Sequence, residues 1–314
     1  MIVYTELSSL EQDLGICAKT LYAVSNNVGR HYHAVRLPKR SGGYRNLSVP
    51  DSVLKSIQRR IVDVLLIHMP VSKFAKAYRF GSSTLHNAKH HVNKPVVLKL
   101  DILHFFDSIQ YSAVKDKVFP QAIYAEPLRI LLSMLCYHKD ALPQGAPSSP
   151  AITNIILYEF DEQIGQWCLE RGISYTRYCD DMTFSGDFDP GEVIRFVRLQ
   201  LKKIGFVLNE QKTRIQHPGR QQNVTGIVVN EKLSIASSYR RRLRQDVYYC
   251  MKFGTQAHLH RIGLEISPEI YHAQLLGRVL YVLRFHPDDS FMREAKRWLS
   301  TTVASETKTD PKDT

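Results

Sequence analysis

The stretch Ile173-Ser174-Tyr175-Thr176-Arg177-Tyr178-Cys179-Asp180-Asp181-Met182-Thr183-Phe184-Ser185 decides the fold. Aromatic and β-branched residues flank a short acidic turn on both sides, which reads as strand, tight turn, strand. Adjacent acids alone mean little, because the chain has three such pairs: Asp161-Glu162, Asp180-Asp181 and Asp288-Asp289. Context separates them. Asp288-Asp289 follows a proline in a connection between helices, whereas Asp180-Asp181 interrupts a hairpin of buried-strand character. Two carboxylates placed there repel each other and gain nothing structural unless a cation sits between them.

Working outward, the pattern after Pro95 switches to period two: Val96, Leu98, Leu100 and Ile102 share one face, and Val97, Lys99 and Asp101 the other. An acid on so apolar a strand is either a ligand or, with Lys99 beside it, part of a solvated edge strand. The chemical reading is a pair of divalent ions. Mg²⁺ demands hard oxygen ligands and usually takes the remainder from substrate phosphates. Two ions roughly 3.5–4 Å apart can activate an attacking hydroxyl and neutralise a leaving pyrophosphate. Asp101 with Asp180 and Asp181 meets that need, and Asp107, past the strand end, is the weaker candidate.

The whole chain has 314 residues, 42 Lys+Arg against 30 Asp+Glu, a net charge of +12 and 44% hydrophobic residues. That composition supports a substantial core in two or three lobes and excludes collagen-like, disordered and disulfide-framework classes. The charge is uneven. Residues 30–60 hold eight basic groups against Asp51 alone, and residues 211–245 hold eight against Glu231 alone. Two basic windows on a near-neutral body suggest a polyanion gripped from two sides, the alternative being two solvated faces. No signal peptide or membrane-length apolar run is present, and five cysteines without a CxxC pair read as reduced thiols in a cytoplasmic protein.

Helices are expected over Leu7–Tyr22, Ser52–His68, Thr84–Val92, Tyr111–Val118, Pro127–Tyr137, Ala151–Arg171 and Gly191–Ile204, with mostly helix after Ser237. Lys39–Arg45 is a basic Gly-Gly turn between short strands. Further strands are expected at Phe206–Leu208, Thr213–Gln216 and Val224–Val229, and Ser305–Thr314 reads as a disordered tail.

Several segments together resemble the reverse transcriptases, and among them the bacterial retron type. Tyr178-Cys179-Asp180-Asp181 resembles that family's Tyr-x-Asp-Asp turn, with Cys179 where many relatives have Ala. Leu98–Asp101 through Phe105-Phe106-Asp107 resembles its first catalytic strand, and Leu142-Pro143-Gln144-Gly145-Ala146-Pro147-Ser148-Ser149-Pro150, followed by Asn154, its template- and nucleotide-contacting loop. Lys39–Arg45 and Leu54–Ile61 resemble the fingers. Asn87-Ala88-Lys89-His90-His91 and Val224-Thr225-Gly226 resemble two elements of retron enzymes.

The resemblance implies an α+β right-hand polymerase: an N-terminal helical extension (1–29), fingers (30–95), a palm with an antiparallel sheet (96–230, with finger helices interleaved at about 111–140) and a helical thumb (231–304). It implies that Asp101 and Asp180 hold two Mg²⁺ ions, Mn²⁺ being a substitute, with Asp181 assisting. Phe106 would be the ring that excludes a ribose 2′-OH, unless Phe105 is. Gln144 and Gly145 would lie against the nascent pair; Lys39, Arg40 and Arg45 are candidates for the triphosphate clamp. Lys212 resembles a lysine that protonates departing pyrophosphate, or belongs to a solvated loop. His86 and His90 have a metal-ligand spacing without a neighbouring Cys or acid, so RNA contact or core capping is the better reading, RNA contact being favoured for His91. Asn87, His91, Thr225, Gly226 and the run Arg240-Arg241-Arg242 are the candidate RNA contacts.

The implied activity is RNA-directed DNA synthesis on a cognate structured non-coding RNA. Synthesis would be primed from a primer end or a guanosine 2′-OH to give branched RNA–DNA (msDNA). The resemblance further implies dNTP substrates, a role in anti-phage defence and a separate effector protein. Two rivals stay open: an RNA-dependent RNA polymerase, which would want a small or hydrogen-bonding residue in place of Phe106, and a catalytically idle RNA-binding scaffold.

Overall fold

The computed structural model describes residues 3–38 and 42–306, with side chains as far as residue 301. Lys39 and Arg40 lie outside the described residues. The chain divides into two compact units, Met1–Pro218 and Gly219–Thr314, ahead of the expected boundary at 230/231.

The first unit opens with α1 (Leu7–Leu14) and α2 (Ala18–Asn26), where one helix was expected. Gly15 between them takes a left-handed conformation, φ 65°, which ends α1. The basic turn joins β1 (Tyr32–Pro38) to β2 (Tyr44–Pro50) in an antiparallel ribbon. Next, α3 (Ser52–Arg60) is capped by Asp51, which accepts from the Leu54 amide, and its stripe continues as a π-helical turn, Ile61–Leu65. The short α4 (Thr84–Lys89) follows.

The period-two strand is β3 (Val96–Asp101), and the acidic hairpin is β4 (Ser174–Tyr178) and β5 (Asp181–Gly186). Between them lie α5 (Tyr111–Ala113, extended by a π-turn at Val114–Val118), α6 (Glu126–Cys136), α7 (Ser149–Ile156) and α8 (Tyr158–Leu169). Here Ala151–Arg171, expected as one helix, breaks at Leu157. After α9 (Pro190–Lys203) the chain returns as β6 (Arg214–Gln216), and Phe206–Leu208 supplies only a bridge from Leu208 to Ile102.

The sheet order is β4-β5-β3-β6, antiparallel throughout, so β3 is interior and the edge-strand reading of Asp101 fails. Leu98 pairs with Phe184 and Leu100 with Met182. These residues share one core with Phe160 and Ile164 of α8 and Val193, Val197 and Leu201 of α9. Registered partners share a face, so Lys99, Asp101, Asp181, Thr183, Ser185 and Thr176 lie together on the opposite, polar face.

The second unit begins with a hairpin, β7 (Asn223–Val224) and β8 (Ile227–Val228), where one strand was expected. Its turn is Thr225-Gly226, both at positive φ, 48° and 85°. Four helices follow: α10 (Ser237–Phe253), α11 (Thr255–Ile262), α12 (Pro268–Leu283) and α13 (Ser290–Glu306), the last running into the segment read as a tail. Leu243 and Val247, Leu275 and Val279, and Met292 and Leu299 form their common core.

Candidate active site

Asp101 ends β3 directly opposite Asp181, the first residue of β5. Asp180 precedes it in the two-residue turn, tied to β3 by the Ile102 amide donating to the Asp180 carbonyl at 3.1 Å. Three carboxylates from two adjacent strands thus converge at one end of the sheet. Each stands beside positive charge or another carboxylate. Lys212 Nζ lies 2.9 and 2.8 Å from the two oxygens of Asp101, and Asn209 Nδ2 donates to Asp101 Oδ1 at 3.1 Å. Lys99 Nζ lies 3.1 Å from Asp181. Burial, then the Asp101 charge, pushes the Asp180 carboxyl above the usual carboxylate range. Asp181 is pushed the same way by burial, which outweighs Lys99.

Among the described residues no three His, Cys, Asp or Glu side chains form a ready-made metal cage. The donors nevertheless fit hard divalent ions, because half-buried, mutually repelling carboxylates gain from a cation and their oxygens are the ligands such ions prefer. Asp107 stands apart, facing His104 at 3.8 Å.

The turn itself is strained. Cys179 sits at φ 64°, a region that costs a residue with a Cβ about 1–2 kcal/mol. Two groups hold it there. Arg177 Nη1 donates to the Cys179 carbonyl at 2.9 Å, and the Tyr78 hydroxyl donates to Cys179 Sγ at 3.4 Å. Sequence reading missed both residues, although a signal existed for Arg177. It shares the buried phase of its strand with Ile173 and Tyr175, where an arginine needs a partner. That partner is Asp161, an acid on the apolar face of α8.

Of the candidate nucleotide contacts, Phe106 is partly buried while its neighbour Phe105 is 3% exposed, packed edge-on to it and tilted against Phe206. Phe105 is therefore core, and only Phe106 has a ring surface to offer. Arg45 is exposed on β2. The loop carrying Gln144 and Gly145 is docked on β2: the Ser48 amide donates to the Gln144 carbonyl at 2.8 Å. A Cβ on Gly145, at φ 121°, would meet the Ser48 carbonyl oxygen at 2.9 Å. A close approach that requires glycine is therefore made to β2 within the protein itself.

The RNA-facing expectation fails for two residues. His91 is fully buried, its ring nitrogens 2.7 Å from Ser185 Oγ and from Thr176 Oγ1, and burial lowers it to about 3, so it is a neutral bridge between strands. Asn87 is 1% exposed. His86 and His90 acquire no third ligand among the described residues. In the second unit Gly226 is exposed at the hairpin tip and Thr225 half-buried; Arg240 lies 4.0 Å from Asp289, and Arg241 and Arg242 are exposed on α10.

Three carboxylates at one end of an antiparallel sheet, with a glycine-bearing loop docked on a two-stranded ribbon of the same unit, fit the arrangement expected of a templated nucleotide polymerase. Comparison with known proteins narrows this. Residues 37–245 match the family described as reverse transcriptase (RNA-dependent DNA polymerase). The chain is 34% identical over 282 residues to the retron Mx65 reverse transcriptase of Myxococcus xanthus, covering 83% of this chain and 63% of that one. It is 32% identical over 234 residues to the retron Ec83 reverse transcriptase of Escherichia coli, covering 69% and 75%, and 29% identical over 253 residues to the Ec86 enzyme of the same species, covering 79% and 78%. The chain belongs to the reverse transcriptases, and within them to the retron type. Its match thus spans less than two thirds of the Mx65 enzyme's length. No helix among the described residues is long and apolar enough to cross a membrane.

Proposed function

We propose that this chain copies part of a cognate structured RNA into single-stranded DNA. The observation that carries the reading is Asp101 registered against Asp181, with Asp180 in the turn between β4 and β5, in a chain of this family. Asp101 and Asp180 would hold divalent ions, Mg²⁺ by their all-oxygen donor set, with Asp181 assisting. When bound, such ions activate an attacking hydroxyl and neutralise the charge that develops on the leaving pyrophosphate.

The chain's own residues supply the rest. Phe106 closes the space under the sugar and so selects dNTPs over NTPs. Arg45, with Lys39 and Arg40 before it in the sequence, binds the triphosphate, and Gln144 orders the nucleotide from a loop whose position Ser48 sets. Lys212, whose ammonium donates a hydrogen bond to Asp101, would protonate departing pyrophosphate. Thr225, Gly226 and Arg240–Arg242 contact the RNA. By kinship with the retron enzymes, priming is from a guanosine 2′-OH, the product is branched msDNA, and the physiological role is anti-phage defence with a separate effector in the cytoplasm.

Primer extension on an RNA template with Mg²⁺ and dNTPs tests the polymerase reading. Wild type should extend and Asp180→Asn should not. Equal incorporation by the two, or a preference for NTPs, overturns it. Sequencing nucleic acid copurified with the protein tests the branched product.

A further inference from the structure

Among the described residues, the most deeply buried ion pair lies next to the Cys179-Asp180 turn. Arg177 and Asp161 are both 0% exposed, and their side chains pair through Nε at 2.8 and 3.0 Å and through Nη2. Such a pair is a poor way to gain stability. Desolvating two ions costs about as much as their attraction returns, and well-packed apolar residues do as well or better. Its remaining contacts show what it does instead.

Beyond Asp161 of α8, the guanidinium reaches two further elements. Nη1 donates to the Cys179 carbonyl at 2.9 Å, and Nη2 also reaches Asn154 Oδ1 of α7 at 3.3 Å. Asn154 Nδ2 in turn donates to the Ala77 carbonyl at 3.0 Å, next to Tyr78, whose hydroxyl holds Cys179 Sγ. The Arg177 backbone is latched to the same segment: its amide donates to Phe74 O at 2.9 Å, and its carbonyl accepts from the Lys76 amide at 2.7 Å. Asp161 is fixed from the other side by the Tyr175 hydroxyl at 2.8 Å. One rigid fork thus ties α7, α8 and the 74–78 segment to the one peptide that links Cys179 to Asp180. That peptide follows a residue at φ 64°, a conformation that needs outside support in anything but glycine or asparagine.

We infer that Arg177, oriented by Asp161, is a positioning residue for catalysis: it pins the Cys179 carbonyl and thereby the direction in which Asp180 and Asp181 present their oxygens. The inference rests on the polymerase reading. A lysine cannot replace the fork, because one ammonium cannot pair with Asp161 and reach both Asn154 and the Cys179 carbonyl in the same geometry.

The test is steady-state extension of a DNA primer on an RNA template by wild type, Arg177→Lys and the double variant Arg177→Met/Asp161→Asn. The double variant removes both buried charges and leaves Tyr175 an acceptor, so it should fold. Thermal unfolding and primer–template affinity are followed in parallel. The expected result for both variants is kcat lower by about 100-fold, the scale of a misplacement near 1 Å. The Mg²⁺ concentration for half-maximal rate should rise, while KM for dNTP and primer–template affinity stay within about twofold of wild type. A folded variant with kcat within about twofold of wild type overturns the inference. So does a loss in which kcat, KM and affinity fail together with the melting temperature, because that pattern means the pair only holds the domain together. If wild type itself does not extend the primer, it is the polymerase reading that fails.

Discussion

Lys212 brings its ammonium within 2.9 Å of both carboxylate oxygens of Asp101, although the lysine side chain is 60% exposed and the aspartate only 14%. A solvated lysine is thus directed into the carboxylate-bearing end of the sheet, where it meets a carboxylate crowded by two others. Lys212→Met should lower kcat by about 100-fold if this lysine gives a proton to pyrophosphate, the usual worth of a positioned acid. The Mg²⁺ requirement should fall at the same time, because a competing cation has left Asp101. Metal titrations of the extension rate check both. An unchanged kcat would return Lys212 to an ordinary surface charge.

Phe105 and Phe106 are adjacent but separable. Phe106→Ala should raise incorporation of ribonucleotides with little loss of stability, read as the ratio of kcat/KM for dGTP and GTP. Phe105→Ala should cost about 3–5 kcal/mol by emptying the core, read by denaturant unfolding, and should not alter sugar selection in the protein that remains folded.

Gly145 is locked by its contact with β2. Gly145→Ala places a methyl group 2.9 Å from the Ser48 carbonyl and at a φ of 121° that alanine resists. The loop must lift off β2, so KM for dNTP should rise while primer–template affinity is kept. Equal KM values for the two proteins would show that the loop's seat on β2 does not matter to the nucleotide.

His91 makes stability depend on pH. Burial holds its folded pKa at about 3, below the ordinary value of 6.5. Between these values the unfolded chain binds the extra proton, so the stabilisation is complete above about pH 6.5 and is lost as pH falls toward 3. His91→Gln should flatten that acid limb in urea titrations at pH 7, 5.5 and 4.5. RNA affinity at neutral pH should be unchanged, since the side chain does not reach the surface.

In the second unit, Arg240 and Arg244 face Asp289, and Arg244 also covers the Phe291 ring at 4.8 Å. Arg241 and Arg242 are exposed. Replacing those two by Gln should weaken RNA binding and reduce the slope of log K against log salt by about 1–2, one counterion or somewhat less per lost phosphate contact. Primer extension at saturating RNA should survive. An unaltered slope would take these arginines off the RNA.

Much of this protein could be read from the chain alone. Alternation at Val96–Ile102 and the acidic interruption at Asp180-Asp181 are local signals, since side-chain direction in a strand follows directly from sequence parity. They suffice to place Asp101 on the polar face and to predict the hairpin. The basic windows likewise needed only counting. What parity cannot supply is partnership. That β3 is interior, that Asp101 meets Asp181 in register, and that Arg177 of β4 finds Asp161 of α8 depend on contacts between distant segments. The two misplaced RNA contacts have the same origin. The RNA reading of Asn87 and His91 rests on their resemblance to a retron element, yet whether a polar side chain is buried is settled by what lies opposite it, and for His91 that is a pair of hydroxyls from two strands. Alternation and spacing in the chain marked which carboxylates could act together; the tertiary structure decided which polar groups meet at the end of the sheet and which were taken inside, because a buried donor is tolerated only where the fold brings it an acceptor.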